Sequence, residues 1–463
     1  MIPIDLLPDD VLLAIFKFYV KGEHFVKKWI ESWQSLVHVC QRWRSVVFGS
    51  PRHLNLQLLC TPGTPRGMLD VWPPLSLIVR GHVSRPNMDN IIGALEHRDR
   101  VRKIDLYYDS RSPVEDVWAA MQEPFPELEH MNLSGPSRTN TEQVVPDSFL
   151  GGSAPRLQFL EWSGIPFPGL PNLLLSTTHL VTLHLSDIPH SGYFTPEAIV
   201  TALSRTTSLN KLSLGFRSIP SHPDPESRPP SPLTRTVLPA LTTFDFGGAS
   251  EYLEDLVARI NAPRLNGLYI ALSHHDFDIP QVVQFISRTP MSKAHDEAHV
   301  VIDEGLGKLI LSEATGYDSV VITIRVYFGE SDFQLSSLAR VSSSFLPFVS
   351  MVESLYIYEN QYLQIDWEDE VRVENTEWLD LLRLYTNVKN LYLSEVFGPG
   401  IMRALQGSVE GRTVVVSPTL QSVFLEGPWP SSPVQGEIGQ FAAARELSGY
   451  PCAVSLWDSG GKF

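Results

Sequence analysis

Cysteine is scarce: Cys40, Cys60 and Cys452 are the only three in 463 residues, and no two stand in a C-x-x-C spacing. An odd, dispersed set excludes a disulfide framework and a cysteine zinc ribbon, and fits a reducing compartment. Positive charge is also short. Lys and Arg total 36 against 52 Asp and Glu, a net charge of -16. Nucleic acid and anionic membrane surfaces demand clustered cations, so neither is an expected partner. No run approaches the ~20 apolar residues needed to span a bilayer. The N-terminus carries Asp5, Asp9 and Asp10 where a secretory leader would be basic. The expectation is a soluble cytoplasmic or nuclear protein.

Catalytic signatures are equally thin. The run His295-Asp296-Glu297-Ala298-His299 has Asp where a zinc-protease helix needs Glu directly after the first His, and no third ligand is evident. His274-His275-Asp276 reads as a solvated loop, and the acidic run from Asp366 through Glu374 to Glu377 as a solvated face. Asp458-Ser459-Gly460-Gly461 sits at the chain end without a nucleophile elbow. There is no phosphate loop and no dinucleotide fingerprint. The expectation is a non-enzyme with no catalytic residues, cofactor or metal.

What the chain does have is apolar residues, 43% of the total, with 10% aromatics. That is enough for a large core, on a chain too long for one ordinary domain. In the first fifty residues, Leu7-Pro8-Asp9-Asp10-Val11-Leu12 has the marks of a helix start. Pro8 suits a first turn, and the two carboxylates suit the positive end of the dipole. Val11, Leu12, Ile15, Phe16 and Tyr19 then form one stripe. Leu36, Val39, Cys40, Trp43, Val46 and Val47 form the stripe of a second helix. Two short helices cannot bury that much apolar surface alone, so part of it must meet another domain or another protein.

The spacing Leu7-Pro8-x-Asp10-Val11-Leu12-x-x-Ile15-Phe16, followed by Leu36-x-x-Val39-Cys40-x-x-Trp43-Arg44, resembles the F-box family. The stretch from Trp33 to Arg44, followed by Ser50-Pro51-Arg52, resembles the expanded F-box families of mushroom-forming fungi. The resemblance implies a three-helix domain over 1–51 that docks a Skp-type adaptor and, through it, a cullin scaffold. Carried over by position, Leu7 and Pro8 make the opening adaptor contact. Val11, Leu12, Ile15, Phe16, Val39 and Trp43 are divided between the adaptor and the domain's own core. An insertion over Lys21 to Ser35 departs from the family pattern.

Beyond residue 52 a unit recurs: apolar-x-x-apolar-x-apolar. It appears as Val101/Ile104/Leu106, Leu128/Met131/Leu133, Leu157/Leu160/Trp162, Leu180/Leu183/Leu185, Leu209/Leu212/Leu214, Leu241/Phe244/Phe246 and Leu265/Leu268/Ile270. Leu306/Leu309/Leu311, Val352/Leu355/Ile357, Val388/Leu391/Leu393 and Leu420/Val423/Leu425 continue it. One copy arises by chance at roughly 0.08 per position, so the spacing carries the inference. Most intervals lie between 23 and 36 residues, and the entry phrases Ala154-Pro155-Arg156-Leu157 and Ala262-Pro263-Arg264-Leu265 nearly coincide. The array resembles leucine-rich repeats, each giving one parallel strand and a return. The expected Asn or Cys after the strand is absent except at Asn360. Helical returns are expected over Pro196 to Ser204, Glu251 to Ile260, Gln281 to Ser287, Thr376 to Tyr385 and Pro399 to Leu405. The intervals of 41 and 46 residues flanking Leu306 imply loops, and the proline-rich run 219–232 implies another.

The fold expectation is therefore α/β: an all-α F-box over 1–51, an irregular leucine-rich-repeat solenoid with a curved parallel sheet over 52–430, and a C-terminal cap and tail over 431–463. In each strand the residue between the last two apolar positions points away from the buried ladder. Those positions are Asp105, Asn132, Glu161, His184, Ser213 and Asp245, then Tyr269, Ile310, Tyr356, Tyr392 and Phe424. The first group is polar. The second predicts a continuous, mostly aromatic ladder of five strands, and Tyr269, Tyr356, Tyr392 and Phe424 become the candidate target-binding residues. Two functions fit: a ubiquitin-ligase substrate receptor, or a repeat-based binding scaffold outside any ligase.

Overall fold

The computed structural model describes residues 4, 7–21, 33–109, 112, 114–136, 144–217, 234–272, 279–293, 295–303, 306–313, 321–327, 335–359, 375–394, 396–406, 408–409, 412–413, 417–427 and 432–457. His274-His275-Asp276, the proline-rich run, the acidic run up to Glu374, Asn360, the 458–463 tail and most of the Lys21 to Ser35 insertion lie outside them. Two units emerge, 1–209 with 216–218 and 210–215 with 219–463. No helix among the described residues is long and apolar enough to cross a membrane.

The first unit begins with three helical pieces. Asp9–Lys21 is a helix with Asp9 and Asp10 in its first turn, and Leu12, Phe16 and Val20, four apart, are its buried line. A short helical piece at 33–37 follows, then the helix Gln41–Gly49. The single second helix expected from Leu36 to Val47 is broken. Cys40 adopts extended dihedrals (φ -157°, ψ 169°), and its sulfur accepts the Trp43 N–H at 3.4 Å as an N-cap. The break turns Val39 and Cys40 outward, so they do not share the inward face of Val46 and Val47.

Strands follow in order: β1 (Gln57–Cys60), β2 (Ser76–Val83), β3 (Val101–Tyr108), β4 (His130–Ser134), β5 (Phe159–Ser163) and β6 (Thr182–Ile188). Each is parallel to the next. Short returns separate them, including the helices Met88–Leu95, Val114–Ala120 and Leu170–Leu174. The first two strands precede the repeats read from the sequence, although Leu54, Leu56, Leu58 and Cys60 alternate and are all buried.

The second unit holds β7 (Lys211–Phe216, all but its last residue), β9 (Thr243–Gly248), β11 (Gly267–Leu272), β12 (Glu297–Asp303), β13 (Leu306–Ser312), β14 (Val321–Tyr327), β15 (Ser354–Glu359), β16 (Asn390–Leu393), β19 (Ser422–Glu426) and β20 (Ala453–Trp457). Two-residue strands β8 (Thr236–Val237) and β10 (Ile260–Asn261) pair with each other, as do β17 (Ser408–Val409) and β18 (Arg412–Thr413). The main sheet runs β7-β9-β11-β14-β13-β12-β15-β16-β19-β20.

A recurrent turn explains the repeat. The N–H of the first apolar residue bonds the carbonyl three residues back in Leu128, Leu157, Leu180, Leu209, Leu241, Leu265 and Leu420, at 3.1–3.3 Å. The next two N–H groups reach one carbonyl immediately ahead of the neighbouring strand. Gln158 and Phe159 bond Glu129, Gln421 and Ser422 bond Lys389, and several other strands do the same. The ladder residues between are buried almost without exception. The helices Pro196–Leu203, Ser250–Arg259, Pro280–Ser287, Asn375–Leu382 and Gly398–Gln406 stand where helical periodicity placed them.

One repeat is not a repeat. β13, carrying Leu306/Leu309/Leu311, is antiparallel to both β12 and β14, while β12 is parallel to β15 and β14 to β11. The long intervals hold two extra strands, where loops alone were expected. Only Glu304 and Gly305 separate β12 from β13. A parallel crossover needs a dozen residues or more, so that connection permits only antiparallel pairing. Leu306 is accordingly only half-buried, unlike every other opening ladder residue.

Candidate functional site

Two surfaces bring the expected residues together. On the N-terminal helices the apolar stripe divides. Leu12 and Phe16 are fully buried, and Phe16 packs on Trp43 with ring centroids 4.7 Å apart. Val11 is 38% exposed, Ile15 41% and Val39 58%. Pro8 is exposed, while Leu7 and Trp43 are half-buried. Arg42 ties the opening together, bonding Asp9 Oδ1 at 2.7 Å and the Leu7 carbonyl at 2.5 Å. Trp33 anchors the helices to the first strand. Its ring meets Phe48 and Trp72 edge-on, and its Nε1 donates to the Gln57 carbonyl at 3.0 Å. The helices thus keep one apolar face for their own fold and present another, with Tyr19 beside it, to solvent.

The second surface is the open face of the second unit's sheet. Strand register places His299, Tyr356, Tyr392 and Phe424 side by side on β12, β15, β16 and β19. The four rings stack in one column. His299 to Tyr356 is 4.4 Å with planes 8° apart, Tyr356 to Tyr392 4.2 Å and 9°, and Tyr392 to Phe424 4.5 Å and 9°. Trp457 on β20 stands edge-on to Tyr392 at 5.4 Å, and Tyr358 edge-on to His299 at 6.0 Å. The Tyr356 hydroxyl donates to Glu297 Oε1 at 3.4 Å. All these rings are half-buried, leaving an edge to solvent.

The five-strand ladder expected from the sequence is corrected here. Tyr269, 38% exposed, pairs in register with Thr323, which faces Ile310, which faces His299. Three strands, two of them inserted, therefore part Tyr269 from Tyr356, and Ile310 interrupts rather than joins them. Sequence reasoning missed His299 because it lay in a near-match to a metal motif. The alternation Ala298, Val300, Ile302, all buried, was the available strand signal.

Beside the column, Lys308 on β13 and Arg325 on β14 are direct partners in register, two residues along the strands from Ile310 and Thr323. Burial, and then the neighbouring Arg325, push the Lys308 ammonium below its ordinary range. Burial, and then Lys308, push the His299 imidazole down to about 4, so it is neutral at pH 7 and stacks as an uncharged ring. Burial pushes the Tyr358 phenol up to about 12. In the first unit the matching row is polar: Arg80, Asp105, Asn132, Glu161 and His184 stand in register, with Arg80 to Asp105 at 3.1 Å.

No family model and no curated protein matches this chain. Among solved structures it is similar to the leucine-rich repeat-containing protein LegL7 from Legionella pneumophila. The match has 13% identity and a TM-score of 0.28, and covers 85% of this chain and 98% of that one. The repeat assignment rests on the strand register and the recurrent turns.

Proposed function

We propose that this chain is the substrate-recognition subunit of a Skp–cullin–F-box ubiquitin ligase, acting in the cytoplasm or nucleus. The N-terminal helices dock the adaptor and the repeat face holds a protein target. The protein is a non-catalytic receptor, raising the concentration of its target near a ubiquitin donor bound elsewhere in the assembly. The observation that carries the reading is the split stripe. Val11 and Ile15 are exposed on a helix whose inward residues Leu12 and Phe16 already supply its core, and Pro8 before that helix and Val39 in the turn before the last helix are exposed as well. Apolar residues kept outward on helices that already have a core mark an interface.

Pull-down of a purified Skp-type adaptor tests it. Leu7→Ala with Pro8→Ala should weaken capture about thirtyfold, the scale of a ~2 kcal/mol hot spot, with thermal unfolding unchanged. Val39→Asp should do the same without touching a buried residue. Undiminished capture by both variants would refute the adaptor contact. A second reading, a repeat scaffold outside any ligase, draws on the aromatic face alone, which needs no adaptor.

A further inference from the structure

We propose that the open face of β12, β13, β14, β15, β16, β19 and β20 binds an extended acidic segment of a target protein, in which a carboxylate side chain lies two or three residues from an aromatic one. This deepens the target-binding half of the reading above and does not depend on the adaptor half.

Lys308 and Arg325 are directly opposite on adjacent strands and on the same face, an arrangement that disfavours the sheet. Neither has an ion pair or hydrogen bond among the described residues, and the chain carries a net charge of -16, so acids are plentiful elsewhere. The Arg80–Asp105 pair in the first unit shows a cation on the equivalent face matched by an acid on the next strand. Half-buried Lys308 and exposed Arg325, with no acid partner among the described residues, are complementary to an arriving anion. The Arg fork and the adjacent ammonium suit a carboxylate.

The second element is the ring column, which begins on β12, the strand next to Lys308. Its four rings, with Trp457 edge-on, offer a row of ring edges roughly 14 Å long at the ~4.8 Å strand spacing. A flat apolar side chain inserts against such edges, and Tyr and Trp are the residue types that dominate interface energies. From Lys308 to His299, where the column starts, is one diagonal step between adjacent strands, about 7–8 Å. At ~3.3 Å per residue an extended peptide covers that in two or three residues. The cation pair lies at one end of the column, and Glu426 on β19 at the other. A segment with its acid toward β13 and β14 is therefore favoured over the reverse orientation.

The full-length protein should be panned against a random twelve-residue peptide display library. Enriched sequences should pair Asp or Glu with Trp, Tyr or Phe two or three residues away. A fluorescently labelled peptide from that set should bind at least tenfold more weakly to the Lys308→Gln, Arg325→Gln double variant, and likewise to Tyr356→Ser with Tyr392→Ser. Its Glu→Gln counterpart should lose affinity equally on the unaltered protein. Removing the two cations relieves repulsion, so that variant should melt at or above the parent temperature, and a fold defect cannot mimic the loss. The Leu7→Ala, Pro8→Ala variant should bind the peptide fully, which separates this result from failure of adaptor docking. Absence of enrichment, enrichment of neutral or basic sequences, or full affinity in the double cation variant would overturn the proposal, as would tighter binding when phosphoserine replaces the Glu.

Discussion

The two units build their strands with the same turn and the same buried ladder, and both bury aromatic rings in their cores, yet they fill the outward row of the sheet differently. In the first, Trp118, Phe149, Trp162 and Phe167 form a chain of edge and tilted contacts within the core, and the open row is Arg80, Asp105, Asn132, Glu161 and His184. In the second, the open row is a stacked column of His299, Tyr356, Tyr392 and Phe424. Aromatic rings inside a core supply stability by excluding water. The same rings on a sheet face are partly wet and give up some of that stability, leaving surface for a partner.

That contrast is open to direct attack, beginning where the effect should be largest. Trp162→Ala removes a ring that is 2% exposed and whose Nε1 donates to the Ile165 carbonyl at 3.0 Å, and should cost about 3–5 kcal/mol in denaturant unfolding. A cost under ~1 kcal/mol would mean that the first unit does not depend on its internal rings.

The next effect concerns pH. The His299 imidazole has its folded pKa lowered to about 4, against ~6.5 when unfolded. Between those values the unfolded chain binds a proton that the native state refuses, so stability falls as pH drops from 6.5 toward 4 and is fully present above 6.5. His299→Phe keeps a ring in the column and should reduce that acid loss by up to about 3 kcal/mol, read from denaturation curves at pH 7 and pH 4.5. An unchanged acid slope would mean that the histidine is solvated and the column looser than its 4.2–4.5 Å spacings indicate.

Smaller still, Tyr392→Ser breaks two stacked pairs on a half-buried face and should cost only about 1–2 kcal/mol of stability. A loss as large as that of Trp162→Ala would place the column in the core rather than on a working surface. The smallest effect is expected from Arg80→Ala, which cuts a partly exposed ion pair to Asp105 in the first unit's polar row. It should shift stability by less than about 1 kcal/mol, and by less again in high salt.

How much of this was legible without coordinates differs between the two surfaces. Period-2 burial and the spacing of Leu, Phe and Trp mark the parallel strands, because a strand buried on one side must repeat its apolar residues at that period. The N-terminal stripe was equally legible as apolar. Its division into buried Leu12 and Phe16 and exposed Val11, Ile15 and Val39 was not, since it depends on how the helices meet and on the break at Cys40.

The sequence by itself determined the repeating buried ladder and the polar-to-aromatic change along the outward positions. Each of those is a property of residues two or three apart on one strand. Only the tertiary structure decided which strands are neighbours. The reversal at β13 comes with Thr323 and His299 on either side of Ile310, between Tyr269 and Tyr356, and it sets Lys308 against Arg325. Antiparallel and parallel strands show the same alternation, so the direction of a strand leaves no mark in its own residues and is fixed by the connections and partners it finds.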